Sequence, residues 1–338
     1  MLSRRVLAAI SFASALVSFS FAFASQDKSQ DPNLPDSPRP AVRLTPEVQS
    51  RVTELRRNFE IAVEAKDSRA QAVILSHLGA VYYAHADAAD ALQAFNKALT
   101  IVRKFNQPLA EATALCDVGA SLFALGRAEP ALDAYKEALP LWRATGNKDH
   151  EAATLGDIAE IFRALHDPDE ALHFNRESLP LYIEAGNRAG QAAVLNNIGL
   201  IFFTRHDRKK ALDYFNQAMT VYQSLNNRLG QATTLNNLGG VYNEFGERRK
   251  AIELFTTALP ILKEIGDEKG RANTLNNLGL AYAQLGDPTR ALACYNQALP
   301  AYRDVGDQAG FEAATKNIHI LYADRRSRAI LEASSRVD

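Results

Sequence analysis

The chain has 338 residues, 47% of them hydrophobic and 23% charged. That apolar share buries a core and excludes a wholly disordered chain. The net charge is -1, with 38 basic and 39 acidic residues, which leaves no overall basic surplus of the kind that marks a nucleic-acid partner.

The elements follow in chain order. Residues 1–24 read as a secretory signal peptide. Arg4 and Arg5 precede an uncharged run from Val6 to Phe23, and Ala22 and Ala24 put small residues at a cleavage site. The alternative is an uncleaved anchor, since the run is just long enough to span a bilayer as a helix. The expected location is therefore exported, periplasmic or secreted, or else membrane-anchored through that segment. Residues 25–44, with Pro32, Pro35, Pro38 and Pro40 among polar residues, read as a semi-extended linker. No later segment is apolar enough to span a membrane. Residues 45–68 form an N-terminal half-repeat with an amphipathic helix.

From residue 69 one period governs the chain. Leu75, Leu115, Leu155, Leu195, Leu235 and Leu275 stand 40 residues apart without an insertion. Gly79, Gly119, Ala159, Gly199, Gly239 and Gly279 form a second column. Ala91, Ala131, Ala171, Ala211, Ala251 and Ala291 form a third, and Phe95, Tyr135, Asn175, Phe215, Phe255 and Tyr295 a fourth. Leu235, Leu238, Gly239 and Tyr242 share one face of a helix. Gly246-Glu247 ends it. Ala251, Ile252, Phe255, Ala258 and Leu259 mark a second, and Gly266-Asp267 closes the unit. Six antiparallel helix pairs over residues 69–308 bury their stripes only by stacking. The glycine is expected to admit a neighbouring helix at close range. Pro140, Pro180, Pro260 and Pro300 form a column inside the second helix and are expected to kink it. The third unit departs, with Ala159 for glycine and Phe174 beside Asn175, and is expected to be looser. Residues 309–326 are expected to form a capping helix and residues 327–338 a tail, with no catalytic domain expected there.

The phrase Leu238-Gly239-x-x-Tyr242 followed by Ala251-x-x-x-Phe255 resembles the tetratricopeptide repeat. The 40-residue period, with Leu-Asn-Asn-Leu-Gly at 235–239 and 275–279, is similar to the repeats of kinesin light chains. It is also similar to bacterial arrays that accompany CHAT peptidase domains. The resemblance implies an all-α, right-handed superhelical solenoid of antiparallel helix pairs, with a concave groove lined by the first helices and a protein or peptide as partner.

Motifs that carry chemistry are absent from the sequence. It has no phosphate loop with lysine, no Gly-x-Ser-x-Gly and no His-Glu-x-x-His. His166 and His206 take the same turn position and read as exposed turn residues. Cys116 and Cys294 read as unpaired, and Glu111 and Asp117 near Cys116 argue against a reactive thiol. An enzyme, a metal site, a cofactor and a nucleic-acid partner are therefore not expected, and the oligomeric state is open.

The polar columns carry the functional reading. Asn196, Asn236 and Asn276, with Asn197, Asn237 and Asn277 beside them, fall off the packing stripe on the groove face. A carboxamide offers two donors and an acceptor, so such rows either bind the backbone of an extended peptide or bond to one another and to local backbone. Tyr83, Phe123 and Phe203, followed in their column by Asn243 and Ala283, either anchor apolar side chains of a partner or pack on the next helix. Capture of a terminal carboxylate needs cations on this face, and Arg163 alone qualifies. The expected function is an exported scaffold binding a peptide or protein segment in the groove. The alternative is an assembly factor of an envelope complex acting through its convex face.

Overall fold

The computed structural model describes residues 44–334 and the side chains of residues 44–323. The signal segment and nearly all of the linker lie outside the described residues. The chain divides into two compact units that meet in sequence at Asn187 and Arg188. The N-terminal unit holds α1 (Pro46–Glu64), α2 (Ser68–Ala84), α3 (Ala88–Val102), α4 (Pro108–Ala124), α5 (Ala128–Thr145), α6 (Lys148–Ala164) and α7 (Pro168–Glu184). The C-terminal unit holds α8 (Arg188–Thr204), α9 (Arg208–Ser224), α10 (Arg228–Glu244), α11 (Arg248–Ile265), α12 (Glu268–Leu285), α13 (Pro288–Asp304) and α14 (Gln308–Ser334). Among the described residues there is no strand.

The turns set this spacing. A residue with positive φ recurs every 20 positions from Lys66 to Gly306. The next residue is usually Asp or Asn. Its backbone N–H reaches five residues back, as from Asp87 to Tyr82 O at 2.9 Å, which closes the finished helix. Its side chain then caps the next helix, as Asp87 does to Asp90 N at 3.2 Å. One aspartate thus ends one helix and starts another. Seven of these positions are glycine, whereas Ala86 holds φ 60 with a Cβ that opposes it. Ala86→Gly is expected to stabilise the fold by about 0.5–1 kcal/mol, the strain relieved less glycine's greater unfolded freedom, read from urea unfolding.

Helices pack as consecutive antiparallel pairs: α2 with α3, α4 with α5 and α6 with α7 in the first unit, and α8 with α9, α10 with α11 and α12 with α13 in the second. First helices also touch their counterparts in adjoining repeats, α4 with α6, α8 with α10, α10 with α12 and α12 with α14. Their free faces therefore make a continuous wall within each unit.

The glycine column has a more local purpose than close helix approach. What lies over each glycine is the aromatic ring from the second helix of the same pair. A Cβ on Gly79 would sit 2.6 Å from Phe95, on Gly199 2.7 Å from Phe215, and on Gly279 2.6 Å from Tyr295. The third repeat changes both partners. Ala159 has its Cβ because Asn175, not a ring, faces it. Ala159 and Asn175 are 1% and 2% exposed, and the displaced aromatic, Phe174, stacks on Phe162 at 5.4 Å. This repeat is as closed as the others and not looser. The cost is local: Asn175 donates to Ala171 O, but its buried Oδ1 has no partner among the described residues.

The proline column lies within continuous helices, at Pro140 in α5, Pro180 in α7, Pro260 in α11 and Pro300 in α13. The two repeats without proline carry Thr100 and Thr220, whose hydroxyls donate to the carbonyls of Asn96 and Asn216 at 2.8 and 2.9 Å. Both chemistries disturb the same i−4 carbonyl, so each second helix is weakened at the same turn. The terminal helix α14 runs past the boundary expected at residue 326, because no glycine or proline follows residue 310 to stop it.

Candidate functional site

The free wall of the first helices differs in chemistry between the two units. In the C-terminal unit it carries amide rungs. Asn237 Nδ2 donates to Asn196 Oδ1 at 3.0 Å, Asn277 to Asn236 at 3.2 Å, and Asn317 to Asn276 at 3.1 Å. Each rung joins neighbouring first helices and uses one donor and one acceptor lone pair. A carboxamide retains a second N–H and a second lone pair. Asn197, Asn236, Asn237, Asn276 and Asn277 are half-buried and keep contact with solvent, whereas Asn196 is buried. The columns therefore do bond to one another, and the pairing runs from one column to the next across an offset of 41 residues.

Asn243 is 9% exposed, and its Oδ1 has no hydrogen-bond partner among the described residues. It is set into the wall, not presented on it. Nearby, a Cβ added at Gly240 would meet nothing within 4 Å. That glycine leaves the α10 backbone open to approach, a role distinct from that of Gly239 beside it. Phe203 is half-buried.

In the N-terminal unit the same wall holds Tyr83 and Phe123, both half-buried, and two carboxylates. Asp117 and Asp157 occupy the column that carries Asn237, Asn277 and Asn317 in the second unit. Burial among the first helices raises both carboxyls to about 7. At Asp157, which keeps more contact with solvent than Asp117, the charge of Glu160 adds to the rise and a hydrogen bond from Tyr135 opposes it. Burial, then the charges of Asp157 and Asp117, push the Tyr83 phenol above its ordinary range. Two acids and a phenol thus share one electrostatic environment. Sequence reading missed the pair as a site; its signal was the 40-residue column itself.

Arg163 does not serve as a carboxylate clamp. Its Nε donates to Glu160 at 2.7 Å and its Nη2 makes a second, shorter contact, so its charge is satisfied within α6. Cys116 hydrogen-bonds Thr154 at 3.3 Å, and burial pushes its thiol up to about 12. Cys294 is raised to about 11 for the same reason. Neither thiol ionises at neutral pH, so neither is a nucleophile there. His166 and His206 sit in positive-φ turns at φ 60 and 56. Among the described residues no three His, Cys, Asp or Glu side chains are grouped to hold a metal ion, and no helix is long and apolar enough to cross a membrane.

The sequence profile of the tetratricopeptide repeat matches residues 110–184, 190–264 and 230–304, more than half of the chain. The chain belongs to the tetratricopeptide repeat family. No curated protein matches it over its sequence. Among solved structures, apo RapI aligns with a TM-score of 0.66 at 15% identity, over 78% of this chain and 94% of RapI. BtubC (BKLC) from P. vanneervenii aligns with a TM-score of 0.57 at 21% identity, over 65% of this chain and 92% of that one. The APC/C hetero-tetramer Cut9-Hcn1 gives 0.58 at 18% identity, over 80% of this chain and 46% of that one. These likenesses establish a tetratricopeptide-type solenoid of helix pairs.

Proposed function

We propose that this tetratricopeptide repeat protein is an exported scaffold that binds an extended protein segment along the first-helix wall. The observation that supports this reading is the row of half-exposed carboxamides on α10 and α12, held at repeat spacing by their own rungs, with half-exposed Asn197 on α8 in the same column. Rungs that fix each side chain lower the entropy lost when a ligand binds it. The spare donors and acceptors suit a peptide backbone, whose N–H and C=O groups recur whatever its side chains. On the separate wall of the N-terminal unit, Tyr83 and Phe123 offer apolar contact, and Asp117 and Asp157 favour basic side chains. The family of the solved neighbours includes members described as assemblies, as Cut9-Hcn1 is, which is consistent with a binding role.

The rungs change what a mutation reports. Asn277→Ala removes a hydrogen bond between α10 and α12 and is expected to lower stability by about 0.5–1.5 kcal/mol. Asn197 makes no rung among the described residues, so Asn197→Ala leaves stability nearly unchanged and weakens binding by about three- to tenfold. A photo-crosslinker at residue 197 identifies the partner, with one at Lys136, exposed on the second helix α5, as control. Equal capture at both positions, or full affinity in Asn197→Ala, overturns the groove reading.

Export rests on the first 24 residues. The mature protein is expected to begin at or near Ser25, read by N-terminal sequencing of the exported form. Recovery of an intact Met1 on mature membrane-bound protein overturns cleavage.

A further inference from the structure

The first turns of the second helices carry opposite charge in the two units. In the N-terminal unit they are acidic: Asp90 in α3, Glu129 in α5, and Asp169 and Glu170 in α7. No lysine or arginine occurs within these turns, and Arg127 stands just before them at the α5 N-cap. This is where a helix dipole favours negative charge. In the C-terminal unit the same turns hold no acid. The first turn of α9 is Arg208-Lys209-Lys210, that of α11 is Arg248-Arg249-Lys250, and that of α13 ends in Arg290. Six cations thus crowd the N-termini of α9 and α11, the second helices of two adjoining repeats, against both helix dipoles and one another. Such an arrangement works against the fold, and a local rule broken in register over two repeats points to a use outside the chain.

Part of this charge is engaged internally. Arg208 pairs with Glu247 and lies over the rings of Tyr242 and Phe245 at 5.5 and 5.4 Å. Lys210 pairs with Asp207 at 2.8 Å, Lys250 lies 4.0 Å from the Tyr242 ring centre, and Arg290 pairs with Asp287. The middle residues, Lys209 and Arg249, are exposed and make no ion pair among the described residues. On the acidic edge, Asp90, Glu129 and Glu170 are likewise exposed and without an ion pair among the described residues. Each edge therefore presents mainly unspent charge of one sign at intervals of about one repeat, 39 and 41 residues between the acids and 40 between the cations, with Arg127 at the α5 N-cap the one exposed cation beside the acids.

We propose that the acidic edge of the N-terminal unit in one copy docks on the basic edge of the C-terminal unit in a second copy of this chain. One partner accounts for both edges, and the common repeat spacing brings successive charges into register. An anionic polymer or lipid surface accounts for the basic edge alone. The contact needs one edge from each copy, and it is steered by opposite charge, so it weakens as salt screens it.

Sedimentation equilibrium of the full mature chain tests this with two charge-reversed variants, Lys209→Glu/Arg249→Glu and Glu129→Lys/Glu170→Lys. Wild type is expected to self-associate at about 50 mM salt, with a dissociation constant at least about tenfold weaker at about 500 mM. Each variant alone reverses the exposed, unpaired charges of one edge and so lacks one of the two complementary surfaces, and it is expected to remain a single chain. An equimolar mixture is expected to associate again, because each supplies the edge the other has lost. Circular dichroism checks that both variants stay helical. A wild type of single-chain mass at low salt overturns the proposal, as does association that neither reversal weakens. So does a Lys209→Glu/Arg249→Glu variant that still self-associates but no longer binds phosphatidylglycerol vesicles, which assigns the basic edge to a lipid surface.

Discussion

Gly239→Leu is expected to lower the stability of the array by more than about 3 kcal/mol, beyond the usual range for overpacking. A single Cβ at this position would lie 2.5 Å from Phe255 Cε1. Phe255 is 1% exposed and packs with Ala251, Leu278 and Ala281, so its ring has no free space to enter. Leucine adds three more carbons to that conflict. The α10–α11 pair must part, and α12, which packs on α11, loses its support. Repeat arrays pass such damage to neighbouring units. The third repeat shows what a compatible exchange needs. There the Cβ of Ala159 is accommodated because Asn175 replaces the ring. Gly239→Ala should therefore couple strongly to Phe255→Leu in a double-mutant cycle, the pair costing less than the sum of the single changes. Thermal and denaturant unfolding read both effects. An unchanged midpoint for Gly239→Leu contradicts the packing described.

Asp117→Asn is expected to stabilise the protein above neutral pH and to make little difference below pH 4. Burial raises the folded carboxyl to about 7, whereas the unfolded carboxyl ionises near its ordinary 3.8. Between those values the folded state holds a proton that the unfolded state has released. Stability contributed by the protonated form is complete below the unfolded value and is lost as pH rises through the folded one. The sign is opposite to that of an ion-paired aspartate. Asp117 is half-buried, and solvent reduces the full linkage, so the gain in Asp117→Asn is about 1–2 kcal/mol at pH 8. Unfolding of wild type and variant at pH 4 and pH 8 provides the measurement. Equal gains at both values would show that charge is not the cause. The replacement is also the residue that the C-terminal unit uses in this column, as at Asn237 and Asn277, where the amide donates to the preceding repeat.

The repeat frame was legible because it depends on spacing. The leucine, glycine and aromatic columns fix helix pairs without reference to anything outside a 40-residue unit, and the pairs observed are those the columns imply. The coupling of glycine to ring was not legible as such, because the two residues stand 16 apart and on different helices. The exchange at Ala159 and Asn175 looked like decay of the pattern; in space it is one change matched by another. The carboxamides were legible as a polar row, and their bonding to one another was one of the two alternatives the row left open. What spacing concealed was the 41-residue offset, which pairs Asn196 with Asn237 and not with Asn236. Asn243 lay in the groove column by helical phase, but the wall closes over it. Asp117 and Asp157 were obscured for another reason. A charged residue on a first helix reads as solvated until the neighbouring helices that crowd it are in place.

The turn that recurs at every twentieth residue bears on how such a chain changes length. At most junctions one aspartate or asparagine serves the helix it ends and the helix it starts, so such a junction is interchangeable with the junction two turns away. Loss or duplication of one in-frame repeat would rejoin a closing residue to a capping residue with no seam. Loss of a single helix would instead join two first helices end to end and present each stripe to the wrong neighbour. Recombination within the coding sequence can therefore shorten or extend the array in whole repeats, and the amide-bearing wall would be edited by the same steps, one rung at a time.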